Sequence, residues 1–229
     1  MKSWNRYWLY PLIMGIVLLL TNSCKKEGES EIVTDSDGNV YNTVTIGTQT
    51  WMAENLKTTR YQNDDLIGTT TPATLDISNQ TTPKYQWAYN AVESNADIYG
   101  RLYTWYAITD NRGVCPTGWH LPSDAEWTTL VTFLGGEDVS GGKLKEAGTI
   151  HWLTPNTDAT NTTNFTALPG GYRTGIGEFL GIGNYGYFWS STENSTISAW
   201  NRNMSYGSSK VSRDGSFERN GFSVRCVKN

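Results

Sequence analysis

The sequence predicts an α+β domain in which a few helices pack on many short strands joined by long ordered loops. Short segments of alternating apolar and polar residues are broken repeatedly by glycine and asparagine, a pattern typical of strands and turns. Helical periodicity is confined to a few stretches. The 10 tryptophans and 13 tyrosines argue against disorder, because such an aromatic content favours a packed core.

The N-terminus predicts export. Two basic residues precede an apolar run over residues 8–20, which is shorter than the roughly 20 residues of a membrane span. Such a run, followed by small polar residues, is typical of a secretory signal. Ser23 and Cys24 resemble the lipobox of bacterial lipoproteins, although Thr21 stands where leucine is commoner. We expect residues 1–23 to be a lipoprotein signal peptide; the alternative is an ordinary signal with an incidental cysteine.

The remaining chain divides into a tether and one domain. Residues 24–31 are charged and lack aromatic side chains, so we expect a lipidated Cys24 and a flexible tether, as in some surface-exposed lipoproteins of Gram-negative lineages. Residues 32–229 are long enough for one sizeable core. Without residues 1–23 the chain keeps 16 basic and 22 acidic residues. Because nucleic-acid binding needs clustered cations, we expect no nucleic-acid partner.

The domain begins with a predicted hairpin. Residues 31–35 and 40–46 flank Asp37-Gly38, a dipeptide typical of a two-residue turn. The same loop resembles the start of a calcium site. However, its glycine stands at the fourth position rather than the sixth, and Ile46 replaces the closing carboxylate. We therefore expect a turn and no metal there.

The firmest helix is predicted over residues 122–135. Ser123 and Glu126 form a capping box, and two glycines at 135 and 136 end the segment. The apolar residues at helical spacing share one face: Trp127, Leu130, Val131 and Leu134.

The other elements follow from the same rules. Residues 98–108 show helical spacing, with Gly100 as the weak point, and residues 143–147 suit a short helix. Residues 69–83, rich in threonine and with two prolines, predict a surface loop. The remaining periodic segments predict strands: residues 50–56, 165–168, 172–173, 179–182, 186–192, 198–206, 210–213 and 222–227.

Cysteine and histidine usage limits the chemistry. Cys115 and Cys226 are the two cysteines left once Cys24 carries a lipid, and an exported compartment permits disulfides. We expect them to pair and to close a loop of about 110 residues. His120 and His151 are more typical of packed or hydrogen-bonded side chains than of ligands, so we expect no metal and no cofactor.

The order of motifs resembles a known family. It runs DGN, TWMAENL, YGRLYTWYA, CPTGWHLPSDAEWTTL, GGKLKEAG, FTALPGGYR, YGYFWSSTE and GFSVRCV. These motifs cover nearly the whole domain and resemble the Fibrobacter succinogenes major paralogous domain family of lipoproteins and other surface proteins. The resemblance implies a C-type-lectin-like fold, related to the formylglycine-generating enzyme branch, with two or so helices on short twisted antiparallel sheets. It implies no established activity.

Residues that carry catalysis or calcium in similar folds are missing. Formylglycine-generating oxidases use a reactive cysteine pair, and their iron-dependent relatives use clustered histidines. No serine-hydrolase, zinc-protease or nucleotide-binding motif occurs in this chain. Sugar-binding C-type lectins hold calcium with Trp-Asn-Asp, whereas here Trp200-Asn201 is followed by Arg202. We therefore expect a protein that is not an enzyme and does not bind sugar through calcium.

A polar and aromatic segment over residues 198–220 is the candidate ligand face. Its mixture of Tyr, Trp, Ser, Asn and Gly is typical of paratopes, and the alternative is a solvated hairpin. Because alternate strand residues point to opposite sides, we expect Asn201 and Asn203 to face solvent and Trp200 to face the core. The candidate contact residues are Trp200, Asn201, Asn203, Tyr206, Arg213 and Asn220.

The sequence thus predicts an outer-membrane lipoprotein, exposed at the cell surface, whose domain binds a glycan or protein ligand without catalysis. Its partners would be the membrane, through the lipid on Cys24, and that ligand. Two alternatives stay open: a structural or assembly component of the cell surface, and an enzyme related to formylglycine-generating oxidases. A deep pocket with converging titratable groups would favour the enzyme.

Overall fold

The structure is a computed structural model that describes Met1 and residues 32–229. Apart from Met1, the predicted signal peptide lies outside the described residues, as do the lipidation site at Cys24 and the tether. No helix in the described part is long and apolar enough to cross a membrane.

The described chain is built from short elements. The helices are α1 (Glu93–Tyr99), α2 (Trp105–Ile108), α3 (Asp124–Phe133) and α4 (Glu137–Leu144). The strands are β1 (Val33–Thr34), β2 (Val40–Tyr41), β3 (Thr43–Ile46), β4 (Gln49–Met52), β5 (Gln86–Trp87), β6 (Leu102–Tyr103), β7 (Trp119–His120), β8 (Gly170–Arg173), β9 (Phe179–Ile182), β10 (Tyr185–Ser195), β11 (Ser198–Ser205), β12 (Ser212–Phe217) and β13 (Val227–Lys228).

Two sheets carry the architecture. The larger sheet has the order β12-β11-β10-β8-β9, in which the β10–β8 pair is parallel and the others are antiparallel. The smaller has the order β3-β4-β13-β7, so the last strand lies between an early hairpin and the strand before α3. Two further strand pairs, β1-β2 and β5-β6, complete a mixed α and β fold that is mostly sheet. The α+β class is confirmed.

Helix α3 forms as its sequence predicts. The Ser123 hydroxyl accepts a hydrogen bond from the Glu126 amide at 3.2 Å, and the Glu126 carboxylate accepts one from the Ser123 amide at 2.8 Å. These two bonds satisfy amide groups that a helix start leaves without partners. Trp127, Leu130 and Val131 are buried on the inner face.

The single helix predicted over residues 98–108 is wrong. Helix α1 ends at Tyr99 because Gly100 has a φ of +75°, and a β-carbon there would lie 2.5 Å from the Asn55 β-carbon. Strand β6 follows and pairs with β5 before α2 begins. Local apolar spacing was therefore overridden by a glycine and by long-range strand pairing. The domain consequently has four short helices in its described part rather than about two.

Several other boundaries also differ from the sequence prediction. The second helix is α4, which ends before the predicted segment at 143–147 is complete. Residues 165–168 form an isolated bridge instead of a strand, and residues 222–227 pair mainly through single bridges before β13. Strand β4 ends earlier than predicted, and β12 begins later.

The core consists of two clusters of buried side chains. One surrounds the cysteine bridge and includes Trp105, Trp189 and Phe222. The other lies under α3, where the Trp51 and Trp127 rings are 4.8 Å apart and both lie near Phe165.

The predicted disulfide is present. Cys115 and Cys226 are both buried, and their sulfur atoms are 2.07 Å apart across a sequence separation of 111 residues. The bridge ties the loop before α3 to the residue preceding β13. Closing a loop of this size restricts the unfolded chain, which stabilises the fold by up to about 4.7 kcal/mol in the chain-entropy model.

Three buried cations bind backbone carbonyls, and none of them pairs with a carboxylate in the described part of the chain. The Lys145 amine donates to three carbonyls, those of residues 157, 205 and 208, at 2.8–3.1 Å. Arg173 donates to the carbonyls of residues 73, 75 and 174, and its guanidinium lies 4.1 Å from the Trp87 ring centre. Burial lowers the pKa of each cation, and the surrounding carbonyl oxygens favour the charged form.

Arg225 makes the largest of these networks. Its guanidinium donates to the Asn55 side chain at 2.7 and 3.0 Å and to the carbonyls of Met52, Phe165 and Thr166. It also lies 4.3 Å from the Phe165 ring centre. The carbonyls of Phe165 and Thr166 therefore face a cation rather than a strand neighbour, which explains why the predicted strand there does not form.

We expect Arg225→Met to lower the free energy of unfolding by roughly 3–5 kcal/mol, because it leaves several buried acceptors without a hydrogen-bond donor. Arg60→Met is the control, since Arg60 forms a half-exposed ion pair with Asp37 and should cost at most about 1 kcal/mol. Chemical unfolding of both variants measures the difference. Equal losses would contradict the role given to Arg225.

Candidate functional site

The six residues predicted to contact a ligand do not share one surface. Asn201 and Asn203 lie on the side of the larger sheet that carries Trp189 and Tyr187, their partners in register on β10. Trp200 lies on the opposite side, which faces α3. The alternation predicted along β11 is therefore present, but it divides the candidates between two sides of the sheet.

Asn201 is buried, so the prediction that it faces solvent is wrong. Its side chain is 0% exposed, and its amide nitrogen donates to the Asp214 carbonyl at 2.7 Å and to the Ser216 hydroxyl at 3.0 Å. The reason is coverage by a distant segment. Trp189 lies beside Asn201 and belongs to the same core cluster as Trp105 of α2, which packs over this end of the sheet. Asn201 therefore links β11 to β12 through buried hydrogen bonds.

Trp200 and Arg213 form a small cluster beside α3. The Arg213 guanidinium lies 3.4 Å from the Trp200 ring centre and donates to both carboxylate oxygens of Asp124. Arg202 donates to the same carboxylate at 2.7 Å. Burial alone would raise the pKa of Asp124, but the hydrogen bonds from Arg213 and Arg202 outweigh it and lower that pKa. Trp200 was predicted to face the core; it lies on the side of the sheet that faces α3, but it is half-buried beneath a paired arginine and is not a member of either core cluster.

Tyr206 and Asn220 lie at separate ends of the sheet. Tyr206 is half-buried and packs against the core cluster under α3. The Asn220 side-chain oxygen accepts a hydrogen bond from the Gly175 amide at 3.0 Å and lines a cavity at the opposite end.

The side chains considered for metal binding have protein partners. The Asp35 carboxylate accepts bonds from the turn that follows it and from the Tyr41 hydroxyl at 2.6 Å. His120 lies 2.7 Å from a Glu126 oxygen, and His151 lies 2.9 Å from Glu146. Among the described residues, no group of three or more His, Cys, Asp or Glu side chains could hold a metal ion.

A continuous row of side chains crosses the larger sheet on the side of Asn203. We call this row the tyrosine face; its members come from all five strands and are Leu180, Tyr172, Tyr185, Tyr187, Asn203 and Asp214. Tyr185 is 37% exposed and Leu180 40%, while Asp214 is also exposed and the others are half-buried. One end of the face is apolar and aromatic, and the other is polar.

The tyrosine rings are held by a stack that begins in the core. Trp189 stacks on Phe222 with ring centres 4.3 Å apart, and Phe222 stacks on Tyr187 at 4.8 Å. Tyr187 in turn contacts the Tyr172 ring at 5.0 Å and the Tyr185 ring at 6.0 Å. Packed rings lose little further freedom when a ligand binds, so this surface is preorganised.

Glycines bring the tyrosine strands together. Gly186 of β10 is the parallel partner of Gly171 of β8, which places Tyr187 beside Tyr172. A β-carbon at Gly171 would lie 2.5 Å from the Leu180 carbonyl oxygen, and its φ is +66°. Only glycine fits this close approach without strain.

The polar end offers unused hydrogen-bonding atoms. The Asn203 amide nitrogen donates to one Asp214 oxygen at 2.7 Å, which orients both side chains. Burial raises the pKa of Tyr187, with smaller contributions from Tyr172, Tyr185 and Asp214, so its hydroxyl remains a neutral donor. In the described part of the chain, the three tyrosine hydroxyls form no hydrogen bond to protein and are free to bind a ligand.

Sequence reasoning missed most of this face. It selected Asn203 but not the tyrosines, Leu180 or Asp214. Two sequence features are compatible with a tyrosine cluster: Gly186 lies between Tyr185 and Tyr187, and β8 contains the sequence GGY. Glycines that pair between neighbouring strands allow the tyrosine rings next to them to come into contact. Nothing in the local sequence, however, indicates that β8 and β10 are neighbours.

A family model described as the Fibrobacter succinogenes major domain matches residues 44–228. The chain belongs to this family. The resemblance predicted from the motifs is therefore confirmed, and the matched region contains the tyrosine face and both bridged cysteines. No curated protein and no solved structure matches the chain.

In this Fibrobacter succinogenes major domain, we expect Asp124→Asn to lower the free energy of unfolding by roughly 1.5–3 kcal/mol at pH 7, because two arginines lose a charged acceptor. The folded-state pKa of Asp124 is lowered, so its stabilisation is present above the ordinary pKa near 4 and is lost as pH falls through the folded value. The deficit of the variant should therefore shrink in acid.

Urea unfolding of both proteins between pH 7 and pH 2 measures that deficit. Asp65→Asn is the control, because Asp65 pairs with Arg112 at an exposed position where an ion pair contributes little. A deficit that stays constant down to the lowest pH would show that the Asp124 charge does not stabilise the fold.

Proposed function

We propose that this domain binds a glycan on its tyrosine face and carries out no chemistry on it. The main observation in support of the proposal is the continuous row of side chains that forms the tyrosine face. Aromatic rings on β8 and β10 lie beside an amide and a carboxylate on β11 and β12, and the row is continuous across one side of the sheet.

The aromatic end suits the apolar side of a sugar ring. The carbon-bound hydrogens of a pyranose carry slight positive charge and meet the negative face of an aromatic ring favourably. Tyr185 is the most exposed of the three tyrosines, and its ring centre lies 6.0 Å from that of Tyr187. Leu180, opposite Tyr172 in register on β9, extends the apolar area.

The polar end suits the hydroxyl groups of another sugar in the same glycan chain. A carboxylate oxygen of Asp214 and the side-chain oxygen of Asn203 accept hydrogen bonds, and the tyrosine hydroxyls donate them. A hydrogen bond to a charged acceptor contributes about 1.5–3 kcal/mol when water is excluded. Neighbouring strands are about 4.8 Å apart, so the row across five strands is about 19 Å long and suits a short oligosaccharide rather than a single sugar.

The charge pattern favours binding over hydrolysis. Glycoside hydrolysis ordinarily uses two carboxyl groups that flank the bond to be broken. Among the six members of the tyrosine face, Asp214 is the single carboxylate, and one of its oxygens already accepts a hydrogen bond from the Asn203 amide.

We further propose that the domain has a C-type-lectin-like fold and that it is displayed on the outer membrane by a lipid on Cys24. The pairing of β13 with the early strand β4, together with the bridge from Cys226, supports the first part, since it brings the two ends of the domain together. The basic residues, apolar run and Ser23-Cys24 of the N-terminal sequence support the second.

We expect Tyr185→Ala and Asp214→Ala each to weaken glycan binding at least tenfold, which corresponds to about 1.4 kcal/mol. The first removes an aromatic surface and the second removes a charged acceptor. Because both residues are exposed, the melting temperature should change little. Binding of the purified full chain to an array of neutral plant, fungal and bacterial glycans, followed by titration of the best ligand, measures the effect.

Phe133→Ala is the matched control, because Phe133 is also an exposed aromatic residue but lies at the end of α3 over Gly47. It should bind as the wild type does. If all three variants bind the best glycan equally, the tyrosine face is not the site.

We expect Cys24→Ser to move the protein from the membrane fraction to the soluble fraction. The variant lacks the thiol that receives the lipid, and without two or more acyl chains the protein has no stable anchor. Metabolic labelling with a palmitate analogue provides the second readout. Cys115→Ser, which leaves Cys24 intact, should still be labelled. Equal labelling of wild type and Cys24→Ser would contradict lipidation at this residue.

A further inference from the structure

A cavity of about 430 Å³ lies at the end of the larger sheet, outside the tyrosine face. Three segments form it: the loop at residues 77–80, the turn between β8 and β9, and the chain that follows β12. The residues that line it are Ser78, Thr174, Gly175, Ile176, Phe217, Arg219 and Asn220. Its volume falls within the range of small-ligand sites.

The walls of this cavity are fixed to one another by hydrogen bonds. The Gly175 amide donates to the Asn220 side chain at 3.0 Å, and the Gly175 carbonyl accepts from the Ile77 amide at 2.8 Å. The Arg219 Nε donates to the Gln80 carbonyl at 2.6 Å. The cavity is therefore a formed site rather than a gap between independent loops.

Arg219 brings an unpaired positive charge to the cavity. Its Nε bond holds the side chain, while its two terminal nitrogens donate to no group in the described part of the chain. The adjacent Glu218 is buried, and no oxygen of it lies within 4.0 Å of an Arg219 nitrogen. None of the residues that line the cavity is acidic. A guanidinium with two free nitrogens is the group best shaped to bind a carboxylate with two bonds.

Two exposed apolar side chains line the same cavity. Phe217 is 59% exposed and Ile176 is 57% exposed, so two large apolar side chains meet solvent at this one cavity. A ligand that covers them would gain from removing that apolar surface from water. The cavity thus combines an apolar wall with a single cationic group.

The polar lining favours a peptide over a simple hydrocarbon chain. Asn220 uses its oxygen for Gly175, which leaves its amide hydrogens as donors, and the Thr174 oxygen accepts from the Glu178 amide, which leaves its hydroxyl hydrogen as a donor. Peptide carbonyls can accept from both donors. A fatty acid would leave them unsatisfied, at a cost of about 1–3 kcal/mol each when buried.

We propose that this cavity binds the C-terminal end of a peptide, with its free carboxylate on Arg219 and an apolar last side chain between Ile176 and Phe217. This site is independent of the glycan site, because it shares no residue with the tyrosine face. A surface protein with both sites would hold a glycan on one side of its sheet and a processed protein end on another.

The test uses the purified full chain and a fluorescent pentapeptide, Gly-Ser-Gly-Leu-Phe, read by anisotropy. We expect the free acid to bind saturably and the C-terminal amide to bind at least tenfold more weakly. The same peptide ending in Ser instead of Phe should also bind at least tenfold more weakly. As a competitor, 3-phenylpropanoate tests whether a small apolar acid suffices, and it should be at least tenfold weaker than the peptide.

Two variants test the residues. Arg219→Gln should abolish the preference for acid over amide, while Arg60→Gln, at a half-exposed arginine elsewhere, should retain it. Asn220→Asp keeps an oxygen that accepts from Gly175, removes the side-chain donor and places a negative charge in the cavity, so it should weaken both peptides and weaken the acid at least tenfold more than the amide. This second variant is isosteric and guards against a folding defect in the first.

Equal binding of acid and amide would overturn the proposal, as would the absence of binding to either. A preference for acid that survives both Arg219→Gln and Asn220→Asp would place the site elsewhere. If 3-phenylpropanoate binds as tightly as the peptide, the cavity is a site for small apolar acids, and the peptide assignment is wrong.

Discussion

The fold depends on three buried cations that bind loop carbonyls. Much of the chain lies in loops, and buried carbonyls in a loop lack the partners that a helix or sheet supplies. Lys145, Arg173 and Arg225 provide those partners, and each joins segments distant in sequence. Two of them also support the tyrosine face. Arg173 directly follows Tyr172 on β8, and Lys145 binds the carbonyl of Ser205, where β11 ends.

The last residues of the chain also connect the larger sheet with the smaller one. Phe222 bridges to Tyr103 and stacks between Trp189 and Tyr187, so it links the core to the tyrosine face. A few residues later, Arg225 and Cys226 fix the chain to loops, and β13 enters the smaller sheet. A substitution in this segment should therefore disturb both sheets at once, whereas a substitution of an exposed member of the tyrosine face, such as Tyr185 or Asp214, should leave both sheets intact.

Sequence reasoning succeeded where the determinants are local. The capping box of α3 and the pairing of the last two cysteines follow from short motifs and from redox chemistry. It failed where a distant segment decides the outcome. Alternation along β11 predicts two sides correctly, but it does not show that the core cluster containing Trp105 of α2 and Trp189 packs on the side of Asn201. Apolar spacing through Gly100 likewise predicts a helix, yet strand pairing and the left-handed backbone at that glycine divide it.

The surface that we propose for glycan binding consists of rigid rings and a few oriented polar groups rather than a deep pocket. Such a surface can be tested directly by tyrosine side-chain resonances of the full chain during titration with cellohexaose, mannohexaose and chitohexaose. The account predicts that at least one glycan shifts the signals of Tyr172, Tyr185 and Tyr187 while Tyr61, which lies under Arg112, stays unchanged. Unchanged signals for all three face tyrosines, or shifts confined to other tyrosines, would contradict it.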